Sequence, residues 1–182
     1  MTILFADVSG STARTERLDA KESHSLLYGA TQRMCEAVEA NRGTVCRFMG
    51  DGVLAMFGAP TASEQHAIEA CEAALEMQAA VHRYNDDHDG HELQIRIGLH
   101  SGEVVVLTVG DGDKLEYDAS GPTVPIAARM EQSAPPGEIY LTAATQSLAQ
   151  QRIEVESLAP ILVKGVSEPS ADKHERRRAV LI

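Results

Sequence analysis

The stretch Gly43-Thr44-Val45-Cys46-Arg47-Phe48-Met49-Gly50-Asp51-Gly52-Val53-Leu54-Ala55-Met56-Phe57-Gly58 holds two short apolar runs joined by Gly50-Asp51-Gly52. Glycines on both sides of an aspartate, between β-prone runs, predict a hairpin, because glycine supplies the positive φ that a tight turn needs. The hairpin carries a carboxylate at its tip. Taken alone, such a tip is ordinary turn chemistry. A second aspartate changes the weighing: Asp7 ends the apolar run Ile3-Leu4-Phe5-Ala6 and is followed by Ser9-Gly10-Ser11-Thr12. Two carboxylates at the ends of buried strands are able to share one metal cluster.

Working outward, Leu27, Ala30, Met34, Ala37 and Val38 recur at helical spacing between Lys21 and Asn41. Asn41-Arg42-Gly43 stops that helix, with Gly43 suited to the left-handed cap. Beyond the hairpin, Thr61 and Glu64 have capping-box spacing and open a second helix. Its expected buried face is Ile68, Cys71, Leu75, Ala79 and His82, and it ends near Tyr84. The segment from Leu93 to His100 alternates strictly, with Gln94, Arg96, Gly98 and His100 on the polar face, and is the clearest strand in the chain. The resulting βαββαβ order predicts an α+β fold with a ferredoxin-like, mostly antiparallel sheet. Both helices cover one face and Arg96 points to the other, which is left free for a site or a partner.

Further along, Glu103 to Val109 and Lys114 to Asp118 read as a second hairpin through the turn Gly110 to Asp113, a candidate dimer contact. A short helix from Thr123 to Ser133 stops at Pro135-Pro136-Gly137. A strand from Glu138 to Thr142, a helix from Ala143 to Gln150, and weak strands around Ile153 to Val155 and Ile161 to Val163 follow. The pattern is lost beyond Pro169. The expected organisation is one domain over residues 1–169 and a basic, disordered tail over 170–182. The first strand opens almost at Met1, so either it begins the chain or residues of a longer protein precede it.

With 182 residues the chain is long enough to bury a core, and its formal net charge of -11 argues against a nucleic-acid surface. Lys173 to Arg178 form the one basic cluster, read as a solvated tail. Cys35, Cys46 and Cys71 are odd in number and lack metal-ligand spacing, so they are expected to be buried thiols in a reducing compartment. The longest apolar run, Val104 to Val109, is far too short to span a bilayer. A cytoplasmic protein with no membrane partner is the expectation. Asp86-Asp87-His88-Asp89-Gly90 lacks calcium-loop spacing and reads as a solvated loop, and His100 as an ordinary hydrogen-bonded histidine.

Phe5-Ala6-Asp7-Val8-Ser9-Gly10-Ser11-Thr12 and Arg47-Phe48-Met49-Gly50-Asp51-Gly52 together resemble the class III nucleotidyl cyclase catalytic domain. The likeness continues through Arg96 to Gly102, Tyr117 to Val124, Ala127-Ala128-Arg129-Met130-Glu131 and Val163-Lys164-Gly165. It covers the chain to about Pro169. The resemblance implies conversion of a nucleoside triphosphate into a 3′,5′-cyclic monophosphate and pyrophosphate, in a head-to-tail homodimer with two shared sites. A fused or separate regulatory module is a further partner it implies.

By that resemblance Asp7 and Asp51, with the carbonyl of Val8, hold two Mg2+ or Mn2+ ions, and the backbone of Ser9, Gly10, Ser11 and Thr12 cradles phosphates. Arg96 matches the arginine facing the triphosphate, Lys164 the lysine reaching it from the other chain, and Arg129 the arginine stabilising the α-phosphate. Arg47 and Asp118 match the pair that reads the base. A carboxylate accepts from the adenine amino group and repels guanine O6, so ATP is the expected substrate. Two departures stand out. Arg47 replaces the lysine usual in ATP-using members, and Pro125 replaces the asparagine that bonds the ribose. An adenylate cyclase of low activity is the first expectation, and a nucleotide-binding regulatory module that has lost turnover is the alternative. A diguanylate cyclase or polymerase-palm relative shares the strand order, but its Gly-Gly-Asp/Glu-Glu-Phe hairpin is absent.

Overall fold

Strand β1 (Thr2–Val8) is apolar on both faces and lies in the middle of the sheet. The computed structural model describes residues 1–10, 19–88, 92–110, 116–158 and the backbone of 176–180. On one side β1 bonds antiparallel to β3 (Gly52–Phe57), which pairs in turn with the edge strand β2 (Thr44–Met49). On the other side it bonds antiparallel to β4 (Ile95–Ser101). With helices α1 (Ala20–Ala40) and α2 (His66–Asp86) in between, these strands complete the expected βαββαβ core. A parallel partner, β7 (Ile139–Thr142), extends the sheet beyond β4. The full order is β2-β3-β1-β4-β7-β9-β8, with β8 at Glu154–Ser157 and β9 at Arg176–Val180.

Each face of the sheet has its own core. Leu4, Ala6 and Val8 of β1, Val53, Ala55 and Phe57 of β3, and Ile97 and Leu99 of β4 meet Met34 and Val38 of α1 and Met77 and Val81 of α2. Burial of each such large side chain contributes roughly 1.5–3 kcal/mol. The opposite face presents Ile3, Leu54 and Met56. It is not left free: α3 (Thr123–Ser133) and a separate two-stranded hairpin, β5 (Val105–Val109) with β6 (Glu116–Ser120), cover part of it through Ala127 and Ala119. Helix α4 (Ala143–Ala149) follows β7.

Several local expectations change. The left-handed residue after α1 is Arg42, φ 63°, rather than Gly43. The amides of Arg42 and Gly43 donate to Glu39 and Val38, the two bonds of a Schellman cap. Gly43 is glycine for space, because a Cβ there would stand 2.5 Å from the Phe57 ring. The N-terminus of α1 is a capping box between Asp19 and Glu22. Thr61 and Glu64 form no such box: α2 starts at His66, and Ser63 Oγ accepts from the Gln65 amide. Its buried stripe is Ala67, Ala70, Cys71, Ala74, Met77, Val81 and Tyr84, so Ile68 and Leu75 lie at its margin and His82 is exposed. Small residues face the sheet because the helix packs closely on it. Beyond Pro169, Arg176–Val180 is a strand bonded between β7 and β8, in place of a tail without structure. The weak strand expected at Ile161 to Val163 lies outside the described residues.

Gly98 sets the height of α3 above β4. A Cβ at Gly98 would come within 2.0 Å of the Glu131 backbone nitrogen and 2.5 Å of the Ala127 carbonyl oxygen. Neither is a flexible side-chain end. Replacing Gly98 by Ala is expected to destabilise the fold by about 1–3 kcal/mol, lowering the melting temperature by roughly 3–10 °C in thermal denaturation. An unchanged melting temperature would contradict this account of the helix seat.

Candidate active site

The register of β1 decides what surrounds Asp7: its cross-strand neighbours are Gly52 on β3 and Arg96 on β4, all on the face bearing α3. Met49 pairs with Gly52, leaving Gly50-Asp51 as a two-residue hairpin loop. Gly50 has φ 71° and Asp51 is not in the left-handed region, the pattern of a type II′ turn. That turn brings Asp51 against Asp7. Burial and the nearby charge of Asp51 push the Asp7 carboxyl above its usual range, while Arg96 opposes the shift. Gly52 leaves the room this needs, since a Cβ there would sit 3.2 Å from Asp7 Oδ1 and 2.9 Å from the Ala6 carbonyl oxygen.

Two carboxylates held together against their own repulsion are a hard-oxygen donor set for a divalent cation. Among the described residues no three His, Cys, Asp or Glu side chains converge. One or two carboxylates, completed by substrate phosphates and water, are the protein's usual share of a magnesium-type site. Next in the chain, Ser9 Oγ is buried without a hydrogen-bond partner among the described residues. The Ser9 amide is not open for a phosphate cradle, because it donates to the Gln94 carbonyl at 2.7 Å and extends the β1 ladder by one residue. Gly10, at φ 66°, is where the chain turns away from the sheet. Ser11, Thr12 and Lys164 lie outside the described residues.

Arg96 Nη2 donates to Asp7 Oδ2 at 3.0 Å, and its Nε lies 2.5 Å from Glu131 Oε1 on α3. Burial raises the Glu131 carboxyl above its ordinary range, partly offset by the Arg96 charge. In sequence Glu131 stands only as the last residue of the motif Ala127 to Glu131, with no role attached to it. A carboxylate at an inward helical position was the available signal, since buried charges require partners.

Arg47 and Asp118 form a second group, joined by a direct ion pair between β2 and β6. The pairing of β2 with β3 shifts between Val45 and Arg47, so Arg47 stands opposite Leu54, on the same sheet face as Asp7. Such an extra residue re-aims the following side chain. Among the described residues no ion pair joins this group to the first. Pro125 and Arg129, four residues apart, share the outward stripe of α3, with Pro125 exposed and Arg129 half-buried. Proline fits there because it lies in the first turn, where the amide has no intrahelical acceptor.

The cysteines are free. Cys71 is buried, whereas Cys35 and Cys46 are only partly so. Burial pushes Cys35 up to about 11 and Cys46 and Cys71 up to about 12, so none is a reactive thiolate. His100 is buried, with Nδ1 2.7 Å from Thr142 Oγ1, a structural contact as expected. Within the described residues no helix is long and apolar enough to cross a membrane.

Residues 1–176 match the family described as the adenylate and guanylate cyclase catalytic domain. Adenylate cyclase 1 of Rhizobium meliloti (strain 1021) is 34% identical over 134 residues, covering 72% of this chain and 20% of that protein. This chain therefore spans about a fifth of that curated relative. Among solved structures, the guanylyl cyclase Cya2 superposes with a TM-score of 0.86 at 30% identity, over 98% of this chain and 89% of that one. The adenylyl cyclase CyaB from P. aeruginosa gives the same TM-score at 27% identity, over 100% of this chain and 93% of that one. The family match over nearly the whole chain and the shared fold agree, and the chain belongs to the adenylate and guanylate cyclase catalytic domain family.

Proposed function

We propose that this domain is an adenylate cyclase of low intrinsic activity, converting ATP to 3′,5′-cyclic AMP and pyrophosphate at sites completed by a second copy. The apposition of Asp7 and Asp51 beside Arg96 is the observation that carries this reading. Divalent cations, Mg2+ or Mn2+, when bound would acidify the ribose 3′-hydroxyl and neutralise phosphate charge. Asp7 and Asp51, with the Val8 carbonyl, would hold such cations, and Arg96 would offer N–H donors to the triphosphate from the same face. In the reaction the 3′-oxygen bonds to the α-phosphorus, the bond to the β-phosphate oxygen breaks, and the hydroxyl proton leaves to water.

Base choice belongs to Arg47 and Asp118. Their ion pair sets an acceptor beside donors, complementary to the N6 amino group and N1 of adenine. Arg47 is about half exposed, so opening the pair for a nucleotide is inexpensive. Arg129 stabilises charge at the α-phosphate, and Lys164 reaches the triphosphate from the partner. Two observations support head-to-tail pairing. The acid group and the base-reading group are separate within one chain, and the outer face of the β5–β6 hairpin exposes Val105 and Leu107.

Pro125 favours a second reading, a nucleotide-responsive module with lost turnover. It stands on the Arg129 stripe with no side-chain donor, and an oriented donor of this kind contributes about 2.7–4 kcal/mol to transition-state stabilisation.

Incubating the protein with ATP or GTP and Mn2+, with product identified by mass, is expected to give cyclic AMP at a low rate from ATP. Cyclic GMP in its place would overturn the adenine assignment, and no product at high enzyme would favour the second reading. Pro125→Asn is expected to raise kcat by tenfold or more with KM little changed. A variant that stays silent while ATP still raises the melting temperature would mean that turnover is lost for other reasons. Because the folded state raises the Asp7 carboxyl, the fold loses stability as pH rises through that carboxyl's titration, and the penalty is present at neutral pH. Asp51→Asn should therefore raise the metal-free melting temperature at pH 7 by a degree or more while abolishing stabilisation by Mn2+. Equal melting temperatures and an intact Mn2+ response would contradict the acid-pair assignment.

A further inference from the structure

Among the described residues Arg96 has two carboxylate partners, and they differ in kind. Asp7 is partly exposed and is already crowded by Asp51. Glu131 is 9% exposed, on a helix whose backbone rests directly on β4 at Gly98. Arg96 Nε and Glu131 Oε1 face each other across 2.5 Å without hydrogen-bond alignment, and neither has another hydrogen-bond partner among the described residues. A buried carboxylate that loses its cation is left uncompensated, which is strongly unfavourable. The buried ion pair with Glu131 is therefore the lasting contact, and the hydrogen bond to the more exposed Asp7 the exchangeable one. A divalent cation taking the oxygens of Asp7 would supply the positive charge that Arg96 now supplies there, so the two compete for one carboxylate.

We propose that Arg96 is a resident counter-ion of the Asp7–Asp51 pair, displaced by the divalent cation and kept in the site by Glu131. Glu131 is then a positioning residue: it holds the guanidinium by Nε so that the released Nη2 stays on the site face, available to the triphosphate. This rests on the reading of Asp7 and Asp51 as a cation site. Two opposed effects follow. Without Arg96, the acid pair has no internal competitor and binds the ion more tightly. Without the Glu131 charge, Asp7 is the one carboxylate paired with Arg96 among the described residues, so Arg96 stays there and the ion binds more weakly.

The experiment titrates the full chain with Mn2+ alone, following free Mn2+ by electron paramagnetic resonance, for wild type, Arg96→Gln, Glu131→Gln and the double variant. Arg96→Gln is expected to bind Mn2+ at least about threefold more tightly than wild type, and Glu131→Gln at least about threefold more weakly. The double variant should lie within about twofold of Arg96→Gln, because Glu131 acts mainly through Arg96 and only to a smaller extent by direct repulsion of Asp7. In the nucleotide assay Glu131→Gln should raise KM more than it lowers kcat. A Glu131→Gln affinity equal to wild type, or an effect of about threefold or more that survives in the Arg96→Gln background, would overturn the proposal, as would a wild type that binds no Mn2+. Should Glu131→Gln fail to fold by circular dichroism, Arg96→Gln decides alone, and an affinity no tighter than wild type sinks the idea. If the ion affinities fall in the expected order but no cyclic nucleotide forms, the counter-ion assignment stands and the cyclase reading fails. Product with the affinities out of order has the opposite meaning.

Discussion

Everything at the candidate site depends on Asp7 being pinned between Gly52 and Arg96 by the two antiparallel ladders of β1. Side chains alternate along a strand, so a slip of one residue in either ladder would turn Asp7 to the helix-covered face and replace it with Ala6 or Val8. The apolar pattern prevents that slip. Leu4, Ala6 and Val8 are fully buried against α1 and α2, and exchanging them for Asp7 would put an unpaired carboxylate into that core. The hydrophobic core thus fixes where the charge goes.

A second constraint comes from the other face. Since Gly98 lets α3 rest on the β4 backbone, Glu131 reaches Arg96 from above while Asp7 reaches it along the sheet. The helix that carries Pro125 and Arg129 outward is therefore tied, through its inward residue, to the strand that positions the acids. One chain contributes both surfaces, and they are mechanically connected within it.

The parts of this arrangement legible in sequence are those written in short-range chemistry. Alternation from Leu93 to His100 announced β4 and its polar face, and Gly50-Asp51-Gly52 announced the hairpin, because both signals lie within a few residues. The bounds of α3 also followed from its apolar spacing and the prolines behind it. What escaped depends on distant partners. Gly43 is required by the ring of Phe57, not by its own φ, and the inward face of α2 is set by close approach to the sheet, which favours alanine over Ile68 and Leu75. The engagement of the Ser9 amide by Gln94 needs the β1–β4 register, and β9 carries no alternation that separates it from a solvated basic run. Glu131 is an acid at an inward position of α3, but the partner that gives it a role lies thirty-five residues away on another element.

The irregularity at Cys46 on β2 has a further effect. β2 is the outermost strand of the main sheet on its side, and such a border offers unpaired amides and carbonyls to any extended segment that drifts past. An offset in the middle of that border twists it and breaks the even spacing that a newcomer would need to bond along its length. The same extra residue that swings Arg47 toward Asp118 thereby makes the open rim, where Phe48 is exposed, a poor template for edge-to-edge strand addition.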